Sequence, residues 1–329
     1  MSRLGQQDRA AAVFLAPALG LLLLFFLVPV LFGMFLSLTD FDVYAIGAPD
    51  TARLVGLDNY RSVLGDSSFW QALRNTVYFV TVGGPLSVLT SLGVALLLSH
   101  RLLRLGGLFR TIYFAPVVTT LVAVAIVWRY LYHPRYGLID HILLRFGVDP
   151  IDWLGDPHWA MPAIILLAVW KNFGYNMLIF VAGLQSIPNE LYEAAAIDGA
   201  SPWRRFLHVT VPGLRPTLLF VGLTTMIGYF QLFAEPYVMT QGGPLGATRS
   251  LVLHMYEQGF RWWRIGEAST LAVLLLLLTL IATLIQLALQ RSPGRGSSAG
   301  RETPSESGPR FAPPPPLGQA DETSRGGAQ

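Results

Sequence analysis

The chain has 329 residues, of which 53% are hydrophobic and only 13% charged, with a net charge of +3. A soluble domain of this length needs more charge to cover itself, so the composition points to a bilayer as solvent. The small net charge and scattered arginines exclude a nucleic-acid partner, and the lack of cysteine excludes disulfides, thiolate metal sites and thiol nucleophiles.

The apolar residues fall in long charge-free runs: between Arg9 and Asp40, between Arg74 and Arg101, and after Arg110, Lys171, Arg215 and Glu267. Crossing the hydrocarbon core takes roughly 20 helical residues, because each rises about 1.5 Å. In chain order the runs predict membrane helices over 11–38, 69–99, 108–131, 159–184, 214–238 and 268–290. Helices are required there because backbone groups in lipid must be satisfied internally. The first run is too long for a signal peptide and lacks a small-residue cleavage site, so it is expected to be retained. Pro17, Pro29, Pro85 and Pro116 lie inside these segments and are expected to kink rather than break them.

The expected fold class is therefore all-α integral membrane, a six-transmembrane-helix bundle over 11–290, with a short N-terminus at 1–10. Residues 291–329 are rich in Gly, Ser, Pro and charge, with a tetraproline at 313–316, and are expected to form a disordered tail. Placing both ends in the cytoplasm puts Arg3, Arg9, Arg101, Arg104, Arg110, Arg204, Arg205, Arg215, Arg291 and Arg295 inside. The opposite loops carry arginine too, so this positive-inside bias is shallow.

The stretch 186–216, between the fourth and fifth spans, is polar yet patterned. Pro188 suits a first helical turn, Glu190 puts negative charge near that N-terminus, and Gly199 is placed to end the helix in a left-handed conformation. Ser201 reads as an N-cap with Pro202 next, starting a second helix. Trp203, Phe206, Leu207 and Val211 fall on one face of it, and Pro212 is expected to stop it. Two short helices joined by a tight turn are thus displayed on one side of the membrane. By spacing alone they could equally pack beneath the bundle at the membrane surface or dock a partner.

Glu193-Ala194-Ala195, then Asp198-Gly199-Ala200, then Phe206, Pro212 and Pro216, resemble the EAA loop of binding-protein-dependent ABC importer permeases. Gly56-Leu57-Asp58-Asn59-Tyr60, the run 69–79, Phe109-Arg110, the run 182–188 and Gln241-Gly242-Gly243-Pro244 resemble the carbohydrate, maltose-type branch of that family. The resemblance covers about residues 11 to 290. It implies a type I ABC importer permease fold with a cytoplasmic coupling helix pair, in a bacterial or archaeal cytoplasmic membrane with both termini inside. It also implies a second homologous permease subunit, an ABC ATPase dimer beneath, and an extracytoplasmic solute-binding protein. The ATPase-coupling residues implied are Glu193, Ala194, Ala195, Asp198, Gly199, Ala200, Phe206 and Pro212.

No G-x-x-x-x-G-K-[ST] phosphate loop, H-E-x-x-H or G-x-S-x-G is present, so the chain is expected to bind no ATP, metal or cofactor and to be no enzyme. Polar groups at mid-membrane are costly and mark candidate solute contacts. The fourth span offers Lys171, Asn172, Tyr175 and Asn176, and the fifth Tyr229, Gln231 and Glu235. Such a set could meet sugar hydroxyls and the apolar face of a sugar ring. Alternatively these groups satisfy one another between helices, with Lys171 and Glu235 the obvious pair. The resemblance singles out Tyr175 as a sugar contact. The fifth span lacks the asparagines of the maltose-type pattern, so maltose itself is not implied. Other cargoes of the same class are glycerol phosphate, a polyamine or an amino acid. An ion-coupled secondary transporter leaves the helix pair unexplained and shows no inverted repeat.

Overall fold

The computed structural model describes the backbone of residues 3–48, 52–99 and 106–291, and side chains from residue 11 to 289 apart from Ile46 within those segments. The expected tail at 292–329, Arg101, Arg104 and the side chains of Arg3, Arg9 and Arg291 lie outside the described residues.

Two unbroken spans come first, α1 (Ala11–Leu36) and α2 (Ser67–Leu98). A pair bent by 100° follows, α3 (Gly106–Val118) and α4 (Leu121–Leu131). The long α5 (Pro157–Gln185) crosses without interruption. Two helices then lie between spans, α6 (Asn189–Ile197) and α7 (Pro202–Gly213), and α7 turns by 66° into α8 (Arg215–Phe230). Short helices α9 (Ala234–Met239) and α10 (Leu251–Tyr256) precede the last span, α11 (Ile265–Leu289). Four helices are long and apolar enough to cross a membrane alone, and the count reaches six if each bent pair is one span. The bundle is centred on α5, whose most apolar window is 67% buried, whereas that of α1 is 0% buried within the chain.

Prolines shape the spans through the turn that precedes them. A proline clashes with the carbonyl four residues back and removes one helical hydrogen bond. Pro29, Pro85 and Pro212 each follow a wider π turn, at Leu23–Leu27, Phe79–Gly83 and Phe206–Thr210, which contains that fourth preceding residue. The wide turn relieves the clash and the helix continues. Pro17 and Pro162 lie inside continuous helix without such a turn, whereas after Pro116 α3 ends at Val118. The third span is thus broken at Thr119 and Thr120, correcting the expectation of one kinked helix over 108–131. The fifth is also interrupted, at 231–233, because Pro236 suits only the first turn of a new helix. Its freed Leu232 carbonyl accepts from Ser250 Oγ at 2.5 Å.

Side-chain amides fasten loops to spans. Gln71 donates to the Leu245 carbonyl at 2.8 Å, and Asn75 Nδ2 donates to those of Gly246 and Arg249 at 2.8 and 3.0 Å. Thr76 Oγ1 accepts from the Leu251 amide at 2.9 Å. Asn59 Nδ2 likewise donates to the Ser37 and Thr39 carbonyls just beyond α1, at 2.9 and 2.7 Å. The stretches around Asn59 and Asn75 are therefore clamps on helix ends and on the loop preceding α10.

The packing of α5 on α3 depends on Gly174, where a Cβ would collide with the Tyr113 carbonyl. Overpacking of this kind costs about 1–3 kcal/mol. Gly174→Ala is expected to lower the thermal unfolding temperature in detergent by several degrees. Gly93→Ala, at a position with open space around it, should leave that temperature within a degree or so of wild type.

Candidate functional site

The break in the third span ends the helical ladder at Val118 and leaves the last carbonyls of α3 without their usual partners four residues on. Lys171 Nζ reaches across from α5 and donates to the Pro116, Val117 and Thr119 carbonyls at 2.8, 3.3 and 2.9 Å. The ammonium has three donors, and a helix C-terminus is the negative end of the peptide dipoles, so the match is complete in number and in sign. Lys171 and Glu235 are not joined as an ion pair among the described residues. Lys171 does not line the cavity described next.

The other expected contacts converge. Asn172, Tyr175 and Asn176 of α5 meet Tyr229, Gln231 and Glu235 around a cavity of about 370 Å³. Asn176 Nδ2 donates to Thr225 Oγ1 at 2.9 Å, which fixes its amide and leaves its carbonyl oxygen to face outward from that bond. Glu235 and Tyr229 are buried in the wall, while Tyr175 is 49% exposed in the single chain. The Tyr229 ring packs on Phe79 at 4.8 Å, and its hydroxyl, close to Ser87 and Asn172, completes no hydrogen bond. The wall therefore presents amides, hydroxyls, one carboxylate and aromatic faces, and no cationic side chain. Sequence reasoning missed Thr224, Thr225 and Phe233. Threonines are ordinary in membrane helices, and Phe233 announces itself only by its spacing from Tyr237.

The helix pair forms as its sequence dictates. Gly199 adopts φ +74°, the Ala200 amide donates to the Ala195 carbonyl at 2.9 Å, and the Gly199 amide donates to that of Ala196 at 3.1 Å. This is a complete Schellman turn. Ser201 caps α7 by accepting from the Arg204 amide at 3.4 Å. Arg205 Nε donates back to the Ala200 carbonyl at 3.1 Å, and Tyr192 Oη meets Thr210 Oγ1 at 3.0 Å, so the two helices are tied at both ends. Details shift by a residue: Pro188 caps α6 from outside rather than occupying its first turn, and α7 runs past Pro212 to Gly213. Glu193, Ala194 and Asp198 are exposed, while Ala195 and Ala200 are half-buried at the turn. Trp203 stacks on Phe206 at 5.5 Å. Ile197 and Trp203 are 86% and 66% exposed, so the pair turns apolar side chains away from its own chain.

A helical membrane bundle with a polar cavity between broken spans, and a rigid helix pair outside them, has the architecture of a solute permease. Residues 87–294 match the model of the binding-protein-dependent transport system inner membrane component family. The chain belongs to that family. It is 39% identical over 271 residues to the lactose transport system permease protein LacF of Rhizobium radiobacter, covering 81% of this chain and 89% of the relative. It is 35% identical over 269 residues to the sn-glycerol-3-phosphate transport system permease protein UgpA of Agrobacterium fabrum, covering 80% and 88% respectively. Its fold matches a chain of a bacterial ABC transporter involved in the import of the acidic polysaccharide alginate, with a TM-score of 0.71, 21% identity, and coverage of 87% of this chain and 96% of that one.

Removing the Lys171 ammonium takes their side-chain donor from the Val117 and Thr119 carbonyls, while Pro116 keeps its bonds from Thr119, at about 1–3 kcal/mol for each buried group left unsatisfied. Lys171→Met is expected to lower the unfolding temperature of the purified protein strongly. The solute concentration that half-saturates uptake by the molecules that do assemble should stay unchanged. A stable variant with weakened half-saturation would make Lys171 a solute ligand instead.

Proposed function

We propose that this chain is a transmembrane permease subunit of an ATP-driven importer that translocates a sugar or sugar derivative. The observation that carries the reading is one of continuity. The two helices that wall the cavity, α5 and α8, run directly into the two helices of the external pair, α6 and α7. A force on the pair reaches both walls of the solute path. An ATPase dimer that receives Glu193, Ala194, Ala195, Asp198, Gly199, Ala200, Phe206 and Pro212 in a groove would supply that force. Exposed Ile197 and Trp203 support a covered surface. On this reading the pair and both termini lie in the cytoplasm, a second homologous permease completes the solute path, and an extracytoplasmic binding protein delivers the cargo. Alternating access then follows from ATP-driven closure beneath the pair.

The cavity wall favours a neutral polyol. Sugar hydroxyls need convergent donors and acceptors, which Asn172, Asn176, Gln231 and Glu235 offer, with rings such as Tyr175 to take the apolar face. Glycerol phosphate and amino acids bring an anion that no cationic side chain in the wall neutralises, and a polyamine brings several cations to a single carboxylate.

Co-purification of the tagged chain from its native membrane, with mass spectrometry of what accompanies it, tests the assembly. A second permease and an ATPase are expected, with the ATPase lost on combining Glu193→Ala with Gly199→Val, because a β-branched residue strains the left-handed turn. Recovery of this chain alone, still moving solute in ATP-free vesicles, would replace the reading with an ion-coupled carrier. Within the cavity, Asn172→Ala is expected to reduce sugar uptake tenfold or more, about 1.4 kcal/mol, while membrane abundance holds. Equal uptake by wild type and variant would detach the cavity from the solute.

A further inference from the structure

A second hollow, of about 360 Å³, opens beside the cavity between α9 and α10. Its floor is aromatic. Phe233 and Tyr237 stand four residues apart and stack at 5.2 Å between centroids, and Tyr256 and Phe260 do the same at 5.4 Å. The two pairs face each other, with Tyr256 5.1 Å from Phe233 and 5.4 Å from Tyr237. One end of this ladder, Phe233, belongs to the cavity wall, while the other, Phe260, is 69% exposed. The rings therefore run without interruption from the cavity to the surface, at the membrane face opposite α6 and α7.

The hollow is not simply greasy. Gln241, Glu257 and Arg261 share its lining with the rings. Glu257 Oε2 lies 3.2 Å from Arg249 Nε, an ion pair beside the rings of the hollow. Edge polar groups around an aromatic face match a pyranose ring, whose C–H face is apolar and whose rim is hydroxylated. A lipid chain would have no use for the carboxylate, the amide or the guanidinium.

We propose that Tyr237, Tyr256 and Phe260 form an outer subsite for a sugar ring, which then passes along the ladder by way of Phe233 into the cavity. This rests on the sugar-permease reading above and adds a loading station to it. The stepwise spacing of the rings lets a solute exchange one stacking partner for the next without facing an aromatic-free gap.

Uptake of radiolabelled lactose, maltose and trehalose by cells carrying the whole transporter tests this, with rates normalised to the chain present in the membrane. Tyr256→Leu and Phe260→Leu keep apolar bulk but lose the stacking face. Each is expected to raise the half-saturating concentration several-fold, and the two together about tenfold or more. Tyr256→Phe, which retains the ring, should recover most of what Tyr256→Leu loses. Leucine variants that match wild type, while Asn172→Ala still lowers uptake tenfold or more, would overturn the subsite and leave the sugar permease standing. No uptake of any of the three sugars by wild type would overturn the outer subsite as a station for these disaccharides. Should the leucine variants assemble poorly, saturation-transfer NMR on purified Asn172→Ala protein in nanodiscs, with lactose as probe, is decisive. Aromatic transfer that is lost on Phe260→Ser, at the exposed end of the ladder, supports the outer subsite, and transfer unchanged by it overturns it.

Discussion

The structure depends on how an interrupted backbone is satisfied inside a membrane. A break in a spanning helix exposes carbonyls where no water can reach them, and each costs more than a typical contact returns. Here the only lysine of the chain meets that demand at Pro116, Val117 and Thr119. With those carbonyls capped, α4 can leave α3 at 100°, and Leu121 at its start becomes part of the cavity wall. Asn172, the residue after the lysine, is on that wall as well. The cap and the cavity are thus adjacent consequences of one position on α5. The fifth span repeats the solution with a neutral donor, the Ser250 hydroxyl on the Leu232 carbonyl. Ser250 is itself placed by the loop that Gln71, Asn75 and Thr76 hold against α2.

How much of this the sequence discloses follows the range of the interactions. The spans are legible because charge-free length is a property of the chain alone. The external pair is legible because its signals (a glycine for the left-handed turn, a serine cap, a proline in the next position) act over a handful of residues. The breaks are not. Whether Pro116 kinks or ends its helix depends on whether a donor waits on another helix, and composition does not announce that the partner of a lysine is the main chain. The same blindness hides that Lys171 and Glu235, close enough to feel each other's charge, form no direct ion pair among the described residues. Opposite charges invite each other on paper, while carbonyl acceptors at a broken end carry no letter of their own.

The cavity lies between these cases. Its polar residues stand out against apolar spans, so Asn172, Asn176, Tyr229, Gln231 and Glu235 can be picked without coordinates, and Tyr175 from the resemblance. What cannot be picked is which of them are engaged. Asn176 is committed to Thr225 through one bond, while the Tyr229 hydroxyl sits in the wall without a partner. Residues of similar chemistry therefore divide into those that hold the site and those that remain to receive a solute, a division set by packing rather than by type.

Packing also decides how motion can travel. α5 and α8 touch at Gly183, where a Cβ would press on Thr217, and are bonded again at Asn176 and Thr225. Those two points hold α5 and α8 in register along the stretch that walls the cavity. The spans are instead interrupted at Thr119–Thr120 and 231–233, where the α-helical ladder stops and shorter turn bonds such as Gln231 N–H to the Gly228 carbonyl take over. The breaks that the lysine and the serine make tolerable are also pinned by them, so a change of angle there has to release those bonds.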